Sequence, residues 1–490
     1  MSEKEIKIDK IESKKQRIGE LIEKREEYVN KGEIDKEIEV LRELRILFKS
    51  VFGVESEENI KVLTELGNSL KYIGKFKEAI RLLARAEKII IKKYGENSMP
   101  FVTCNANMAE VYRTMKNYDK VEEKYFKAIK TYKKNDFRNS YVFAGICNNL
   151  GLFYEEKGHY QDSINWQKRR FGWEPRKELL SFSIGVVPTL GSLIQLFSEK
   201  GDKILIQTPV YSEFYDISED NARIIIENKF IEKNGEYSLD LENLENKLKE
   251  NPKLFIFCNP HNPLGHVWTH EELEAIGNLC IKYKVPVISD EIHADLTLWD
   301  NKHIPMASVS EEIRQNTITC TSTGKAFNLA GLQSATIVFN NLEVKAKFDR
   351  FWKDLEVHRN NPFNLVATIA AYSDGGEEYL KQLKKYLENN ILFLNNFFKE
   401  YIPEITPNIP QATYLVWLDC RKLCEKFGFN QEQLEKFMLT KAKLGLNEGR
   451  VYQRGLEGFM RLNTACPRAV LEKALNQLKD AISNENEKLK

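Results

Sequence analysis

The chain has 490 residues, which is too long for one ordinary compact core and predicts two or three domains. Hydrophobic residues make up 42% and charged residues 30%, a composition that is typical of a folded chain and excludes a disordered one. Lys plus Arg (73) nearly cancels Asp plus Glu (72), so the formal net charge of +1 provides no global field that would attract nucleic acid or an anionic membrane.

The start of the chain is charged where a secretory signal is apolar, and no apolar run approaches the length that spans a bilayer. We therefore expect a cytoplasmic protein with neither a membrane nor a nucleic acid as partner. The eight Cys show no disulfide framework and no paired CxxC spacing, so we expect no metal site.

The first third of the chain is an internal repeat with a period of 42 residues, which indicates an array of similar units. Three residue pairs mark the period: Leu66-Gly67, Met108-Ala109 and Leu150-Gly151. Each pair follows the previous one by 42 residues. Ala86 and Ala128 form a second column, and a degenerate first unit begins near Lys24. The expected turn positions are Gly32, Gly74 and Gly158, with Lys116 as the exception. Each unit is predicted to form two antiparallel helices joined at that turn.

This pattern resembles a long variant of the tetratricopeptide repeat. The resemblance implies an α-solenoid over residues 1–163 that presents a concave surface to a protein or peptide partner. The alternative is a helical array whose units pack only on their own neighbours.

From about Leu179 short apolar runs alternate with amphipathic helical stretches, which predicts an α/β domain with a largely parallel sheet. The predicted strands are Leu180–Ile184, Lys203–Gln207, Ala222–Ile226, Leu254–Cys258, Val285–Ser289, Thr317–Thr321 and Ala335–Asn340. Ligands of such sheets bind beyond the carboxyl ends of the strands, so the residues that follow each run are candidate site residues.

Five of the runs are followed by side chains or turns with distinct chemistry. Gly185, Val186 and Val187 precede Pro188 after the first run, and they predict free N–H groups at a helix start that can seat a phosphate. The residues that follow the other runs are Tyr211, the turn residue Asn262, the carboxylate Asp290, and Ser322 with Lys325 in a loop of small residues.

A phosphate seat, an aromatic ring, an amide, a carboxylate and an amine together are what pyridoxal phosphate requires. Tyr211 would stack on the cofactor ring, and Asn262 would donate to its phenolic oxygen. Asp290 would keep the pyridine nitrogen protonated, and Lys325 would join the cofactor covalently and act as the catalytic residue. Each of these residues alone more often has a structural role. Five strand ends that each carry a group the cofactor requires, in the right order, predict a cofactor site.

Arg461 lies within a further apolar run, Gly458–Asn463, where a cation is costly unless it is paired with an anion. Its planar guanidinium suits the α-carboxylate of an amino acid substrate. The alternative is a structural ion pair with a nearby Asp or Glu.

Residues from about Ile164 onward resemble fold type I pyridoxal-phosphate enzymes of the aminotransferase class I/II superfamily, and in particular the cystathionine β-lyase and cystalysin-like C–S lyases. The strings that carry the resemblance are Ile164–Trp173, Gln207–Tyr211, Cys258–Gly265, Ser289–His293, Lys325–Gln333 and Ala465–Arg468. The resemblance implies a large cofactor-binding α/β domain over residues 164–350 and a small C-terminal α+β domain over residues 351–490.

It also implies a homodimer that eliminates a thiol from a sulfur-containing, L-cysteine-derived amino acid and gives pyruvate and ammonia. His293 stands where relatives hold a Tyr or His near the phenolic oxygen of the cofactor. Gln333 stands where many aminotransferases carry a phosphate-binding Arg, and this difference favours the lyase branch.

Two departures from the family pattern bear on activity. Relatives carry an N-terminal arm that covers the substrate, and here the repeats occupy the place of that arm. Gly324 stands where relatives usually have a Ser before the lysine. Loss of the arm predicts a pocket that is more open to water and binds the cofactor more weakly. The remaining alternatives are an aminotransferase on the same scaffold and a degenerate fusion in which the repeats carry the function.

Overall fold

The computed structural model describes residues 3–134, 140–157, 160–233, 235–357 and 361–488. The chain divides into two compact units, Met1–Gly158 and His159–Lys490. Helix Tyr160–Phe171 therefore falls in the second unit, whereas the sequence predicts a domain boundary at 163/164. None of the helices in these ranges has both the length and the apolar character needed to cross a membrane.

The described part of the first unit is helical throughout. Its helices are α1 (Glu3–Lys31), α2 (Ile34–Val51), α3 (Glu57–Tyr72), α4 (Phe76–Tyr94), α5 (Met99–Thr114), α6 (Tyr118–Lys134) and α7 (Ser140–Lys157). Gly32 and Gly74 have positive φ angles of 69° and 72° at the predicted turns, and Lys116 takes the same left-handed conformation with φ of 56°. The turn predicted at Gly158 lies outside the described residues.

The repeated columns form the core of this unit. Leu66, Met108 and Leu150 are buried, and Ala86 and Ala128 are fully buried. A Cβ atom on Gly67 would stand 2.8 Å from Cγ of Leu83, so the glycine permits the close approach of α4 to α3. The large and small members of the period therefore fill one interior, as the spacing predicts.

The second unit alternates helices and strands. Its helices are α8 (Tyr160–Phe171), α9 (Val186–Phe197), α10 (Glu213–Asp220), α11 (Leu241–Lys249), α12 (His270–Lys282), α13 (Glu311–Gln315), α14 (Leu342–Asp354), α15 (Pro362–Ala371), α16 (Asp374–Tyr401), α17 (Arg421–Phe427), α18 (Gln431–Thr440) and α19 (Arg468–Lys488). Its strands are β1 (Leu180–Ser183), β2 (Lys203–Thr208), β3 (Ile224–Lys229), β4 (Ile231–Lys233), β5 (Glu236–Ser238), β6 (Leu254–Cys258), β7 (Val287–Asp290), β8 (Thr317–Thr321), β9 (Ala335–Val338), β10 (Thr406–Pro407), β11 (Leu415–Asp419), β12 (Asn447–Glu448) and β13 (Phe459–Asn463).

All seven predicted runs lie in one seven-stranded sheet with the order β1-β9-β8-β7-β6-β2-β3. The sheet is mixed: strands β2, β3, β6, β7 and β8 pair in parallel, but β9 is antiparallel to both β8 and β1. Residues 322–334 between β8 and β9 contain no α-helix, and a parallel pair needs a longer crossover. Strand β1 consequently runs in the same direction as β8, so the candidate residues after β1, β2, β6, β7 and β8 meet at one edge.

A smaller antiparallel sheet has the order β10-β11-β13-β12 and carries Arg461 in β13. The carbonyl oxygen of Gly265 accepts hydrogen bonds from the backbone N–H groups of Gln411 and Ala412, both at 2.9 Å. Gly265 ends the turn after β6, and Gln411 and Ala412 lead into β11. The two sheets are thus connected at the edge where the candidate residues meet.

Candidate active site

A cavity of about 360 Å³ lies at the carboxyl ends of the parallel strands. Every candidate residue from the sequence lines it: Gly185, Val186, Val187, Tyr211, Asn262, Asp290, His293, Ser322, Lys325 and Arg461. Gln333 and Gly324 line it as well, together with Tyr414, Ile292 and Asn463, which the sequence did not single out. The large sheet contributes most of the wall, and β13 closes one side.

The start of helix α9 forms the predicted phosphate seat. The helix begins at Val186 directly after Gly185, and the first N–H groups of a helix have no partner within it. The hydroxyl of Thr189 donates to the carbonyl oxygen of Gly185 at 2.7 Å and fixes this turn. Unpaired N–H groups and the positive end of the helix dipole favour an anion at this end of the cavity.

Asp290 ends β7 and is buried, with only 4% of its surface exposed. Its Oδ1 atom accepts from the backbone N–H of Ile292 at 3.1 Å. Within the described ranges, no Lys, Arg or His nitrogen lies within 4 Å of its carboxylate. Burial raises the pKa of Asp290 to about 7, and the Ile292 N–H group and the charge of Lys325 oppose this rise. The carboxylate is therefore set up for a cationic partner that the protein side chains do not supply.

Glu291 holds the loop that follows Asp290. Its carboxylate accepts from the Ser289 hydroxyl at 2.8 Å and from the Met306 N–H at 3.0 Å, and it contacts Nε2 of His303 at 2.9 Å. The Glu291 and His303 side chains are both fully buried. Because the buried acid is satisfied on several sides, the backbone next to Asp290 has one defined position.

Lys325 follows β8 and lines the cavity half-buried. Ser322, three residues earlier, donates its hydroxyl proton to the carbonyl oxygen of Ser334 at 2.6 Å and accepts from the Gly324 N–H at 2.9 Å. Its proton is therefore directed into the loop in this structure. A Cβ atom on Gly324 would stand 3.1 Å from Oγ of Ser322, so the glycine leaves room for this hydroxyl beside the lysine.

Arg461 binds to two amides. Its Nη1 donates to Oδ1 of Asn262 at 3.1 Å, and its Nη2 donates to Oδ1 of Asn447 at 3.2 Å. Across the described parts of the chain, no carboxylate oxygen lies within 4 Å of this guanidinium, which excludes the structural ion pair considered above. The cation is thus positioned but not neutralised. The contact also orients Asn262 so that its Nδ2 group is the donor at the other end of the side chain.

Two tyrosines support these groups. The Arg461 guanidinium lies 4.9 Å from the centroid of the Tyr452 ring, and the Tyr452 carbonyl oxygen accepts from the Val210 N–H at 2.8 Å. This bond attaches the turn that carries Tyr211 to the smaller sheet's side of the cavity. Burial raises the pKa of Tyr211 to about 12, so its phenol stays neutral over the working range.

His293 is buried, and its Nδ1 atom has no hydrogen-bond partner within the described structure. Burial, and then the charges of Lys325 and Arg461, lower the pKa of His293 to about 3. The imidazole is therefore neutral at the cavity wall. Its ring centroid lies 6.0 Å from that of Tyr414.

Asn447 and Tyr452 are functional residues that sequence reasoning missed. Asn447 belongs to a two-residue strand directly across from Arg461, and Tyr452 follows a short 3-10 turn. Neither position follows a long apolar run, so the strand-end rule could not find them. Pairing of β12 with β13 is the feature that brings Asn447 to the arginine.

The profile of the family "Aminotransferase class I and II" matches residues 172–478. The chain belongs to this family. The match covers both sheets and every candidate site residue, so the geometry above is that of a family member.

Several relatives are similar over most of their own length. Cystathionine beta-lyase PatB of Bacillus subtilis is 40% identical over 319 residues, which are 65% of this chain and 81% of that protein. A PLP-bound putative aminotransferase from Clostridium difficile is 40% identical with a TM-score of 0.64, covering 69% of this chain and 88% of that one. The PLP-bound C–S lyase from Staphylococcus hominis is 33% identical with a TM-score of 0.62, covering 68% and 88%.

Replacement of Asp290 by Asn tests the buried carboxylate. The pKa of Asp290 is raised to about 7, so between pH 4 and 7 the unfolded chain has released a proton that the folded chain still holds. The stability contribution of this group therefore falls as pH rises through that window, by up to about 1.4 kcal/mol per pH unit. We expect cofactor-free Asp290→Asn to exceed the parent in unfolding free energy at pH 7 and to match it near pH 4, as measured by urea unfolding. An equal difference at both pH values would contradict this assignment.

Proposed function

We propose that the second unit is a pyridoxal-phosphate-dependent C–S β-lyase, which eliminates a thiol from an L-cysteine-derived amino acid and gives pyruvate and ammonia. The observation that carries the proposal is one cavity lined by a buried carboxylate without a cation, Asp290, by a cation without a carboxylate, Arg461, and by the amine of Lys325. The similarity to cystathionine beta-lyase PatB and to the C–S lyase of Staphylococcus hominis supports the lyase reaction over amino transfer.

The residues present fit the cofactor. Asp290 lacks a cation in a buried position, and a protonated pyridine nitrogen would meet this requirement. The N-terminus of α9 offers N–H groups to a phosphate, and Tyr211 contributes an aromatic ring to the same cavity wall. Because Arg461 donates to Oδ1 of Asn262, the Nδ2 group of this amide is free to donate to a phenolic oxygen.

When bound, pyridoxal phosphate supplies an aldehyde that reacts with amines and a protonated ring that accepts electrons from the bond broken at Cα. Lys325 would hold the cofactor, then give up its place to the substrate amine and take the Cα proton on Nζ. Asp290 would share a proton with the pyridine nitrogen, and Asn262 would donate a hydrogen bond to the phenolic oxygen. His293, which is neutral, can accept or donate one hydrogen bond at the wall.

Arg461 would bind the substrate α-carboxylate and so fix which bond at Cα faces Lys325. A bidentate pair between guanidinium and carboxylate sets orientation as well as affinity. Asn447 and Asn262 hold the guanidinium in place before the substrate arrives, which lowers the entropy cost of binding.

We further propose that the helical first unit is a tetratricopeptide-like array that binds a protein or peptide partner. The 42-residue period, the buried Leu66, Met108 and Leu150 column and the turns at Gly32 and Gly74 support it. We also propose that the second unit consists of a large domain that ends at residue 350 and a small domain that begins at residue 351. The protein is proposed to be cytoplasmic. Replacement of the usual substrate-covering arm would leave the pocket more open to water and weaken cofactor binding.

Replacement of Lys325 by Ala is the primary test of the enzymatic proposal. We expect the parent protein to take up pyridoxal phosphate with a visible absorption band, and borohydride to join the cofactor permanently to Lys325, as peptide mass mapping would show. Lys325→Ala should lose both signals and at least about a hundredfold of pyruvate release from cystathionine or S-alkylcysteine.

Lys384→Ala is the matched control, because Lys384 is a half-buried lysine whose pKa is lowered by burial but which lies outside the cavity. It should keep the band and the activity. Labelling of Lys384 or of no lysine would overturn the cofactor assignment. Transfer of the amino group to an added keto acid, without pyruvate release, would identify an aminotransferase instead.

Replacement of Asn447 by Ala tests the carboxylate clamp. The substitution removes one of the two hydrogen bonds that hold Arg461, so we expect KM to rise roughly tenfold while kcat changes little. Asn447→Asp should raise KM further, because the new carboxylate would neutralise the guanidinium. Steady-state kinetics measure the split, and a fall in kcat with unchanged KM would contradict a role in substrate binding.

We propose a homodimer, because family sites of this type are built across a two-fold interface. Sedimentation equilibrium at micromolar concentration is expected to give a dimer mass. A monomer that retains full activity would show that the cavity is complete within one chain.

A further inference from the structure

A group of four arginines lies on the first unit, remote in sequence from the candidate active site. Arg42 and Arg45 belong to α2, and Arg81 and Arg85 belong to α4. Nη2 of Arg42 donates to Oε2 of Glu78 at 2.8 Å, which shows that side chains of α2 and α4 meet at this level. Below, this group is called the arginine cluster.

The arginine cluster has too few acids to balance it. Only Arg42 is paired: throughout the described residues, no carboxylate lies within 4 Å of Arg45, Arg81 or Arg85. Burial lowers the pKa of Arg45, and the charges of Arg85, Arg81 and Arg42 lower it further, with Glu78 opposing. Arg42, Arg81 and Arg85 are thus close enough to repel the Arg45 guanidinium.

The spacing within each helix adds to this repulsion. Arg42 and Arg45 are three residues apart, and Arg81 and Arg85 are four apart, which are the spacings at which like charges destabilise a helix. Four cations that share the single carboxylate of Glu78 leave an excess of positive charge, which an external anion would balance. Arginine groups of this kind recognise carboxylates and other acidic motifs through paired N–H donors.

An exposed apolar side chain adjoins the cluster and narrows the class of ligand. Ile46, which follows Arg45, is 70% exposed. Proteins that bind single-stranded nucleic acid add aromatic rings on which bases stack, and this cluster offers an aliphatic contact instead. Resting on the proposed partner-binding role of the first unit, we propose that the arginine cluster and Ile46 form a docking surface for an acidic peptide segment of a partner protein. The segment would alternate carboxylate and aliphatic side chains.

The experiment uses the full-length protein and a short fluorescein-labelled peptide of alternating Glu and Leu. Fluorescence anisotropy of the peptide measures its binding. Arg81→Glu/Arg85→Glu should weaken binding at least about tenfold, and the parent affinity should fall steeply with added salt. The control, Lys61→Glu/Lys130→Glu, makes the same charge change at exposed lysines on α3 and α6 that form no ion pair with any described residue. It should bind as the parent does.

A second variant keeps the test decisive if the double charge reversal prevents folding. Arg85→Gln removes one repelling charge without reversing it, so it should raise the melting temperature of the free protein while weakening peptide binding. Three results would overturn the proposal: no peptide binding by the parent at low salt, equal loss in the lysine control, or tighter binding of single-stranded RNA of matched length than of the peptide. None of these readouts involves the cofactor or lyase activity.

Discussion

A carboxylate buried without a neighbouring cation is the feature on which the candidate active site depends. Removing Asp290 from water is costly, and the fold recovers only part of that cost through the N–H group of Ile292. The surrounding structure is arranged to hold it there, since Glu291, Ser289 and His303 fix the adjoining backbone. The buried carboxylate would be stabilised by a positively charged ring nitrogen. The roles of Lys325 and Asn262 follow from where that ring would lie.

The cation that lines the same cavity is likewise left without a counter-charge. Arg461 is held by amides, which position a guanidinium without neutralising it, and by the face of Tyr452. An Asp or Glu at either amide position would satisfy the arginine and remove its affinity for a substrate carboxylate. The arginine cluster on the first unit repeats this principle at a surface, where unbalanced charge again marks a place prepared for a ligand.

Much of this arrangement was predictable because strand ends and helix starts are local features. The runs that end near Cys258, Asp290 and Thr321 are apolar and short, so the sequence predicts both the strands and the polar residues that follow them. The direction of β9 was not predicted, since the sequence around Ala335 reads as another buried strand whichever way it pairs. Asn447 was not predicted either, because its role comes from pairing with a strand that follows it by more than ten residues. The hydroxyl of Ser322 donates a hydrogen bond within its own loop. This bond depends on the position of the Ser334 carbonyl group, which the residue type does not reveal.

The hydrogen bond between Arg461 and Asn262 joins residues 199 positions apart, so the cavity needs a late part of the second unit as well as an early one. During synthesis the helices of the first unit leave the ribosome early, and their contacts are local enough to form at once. The parallel strands can assemble next, yet the cavity lacks its guanidinium until β13 has emerged. Cofactor capture is consequently a late event in the life of the nascent chain, and a truncated product would carry a folded helical array with an incomplete pocket.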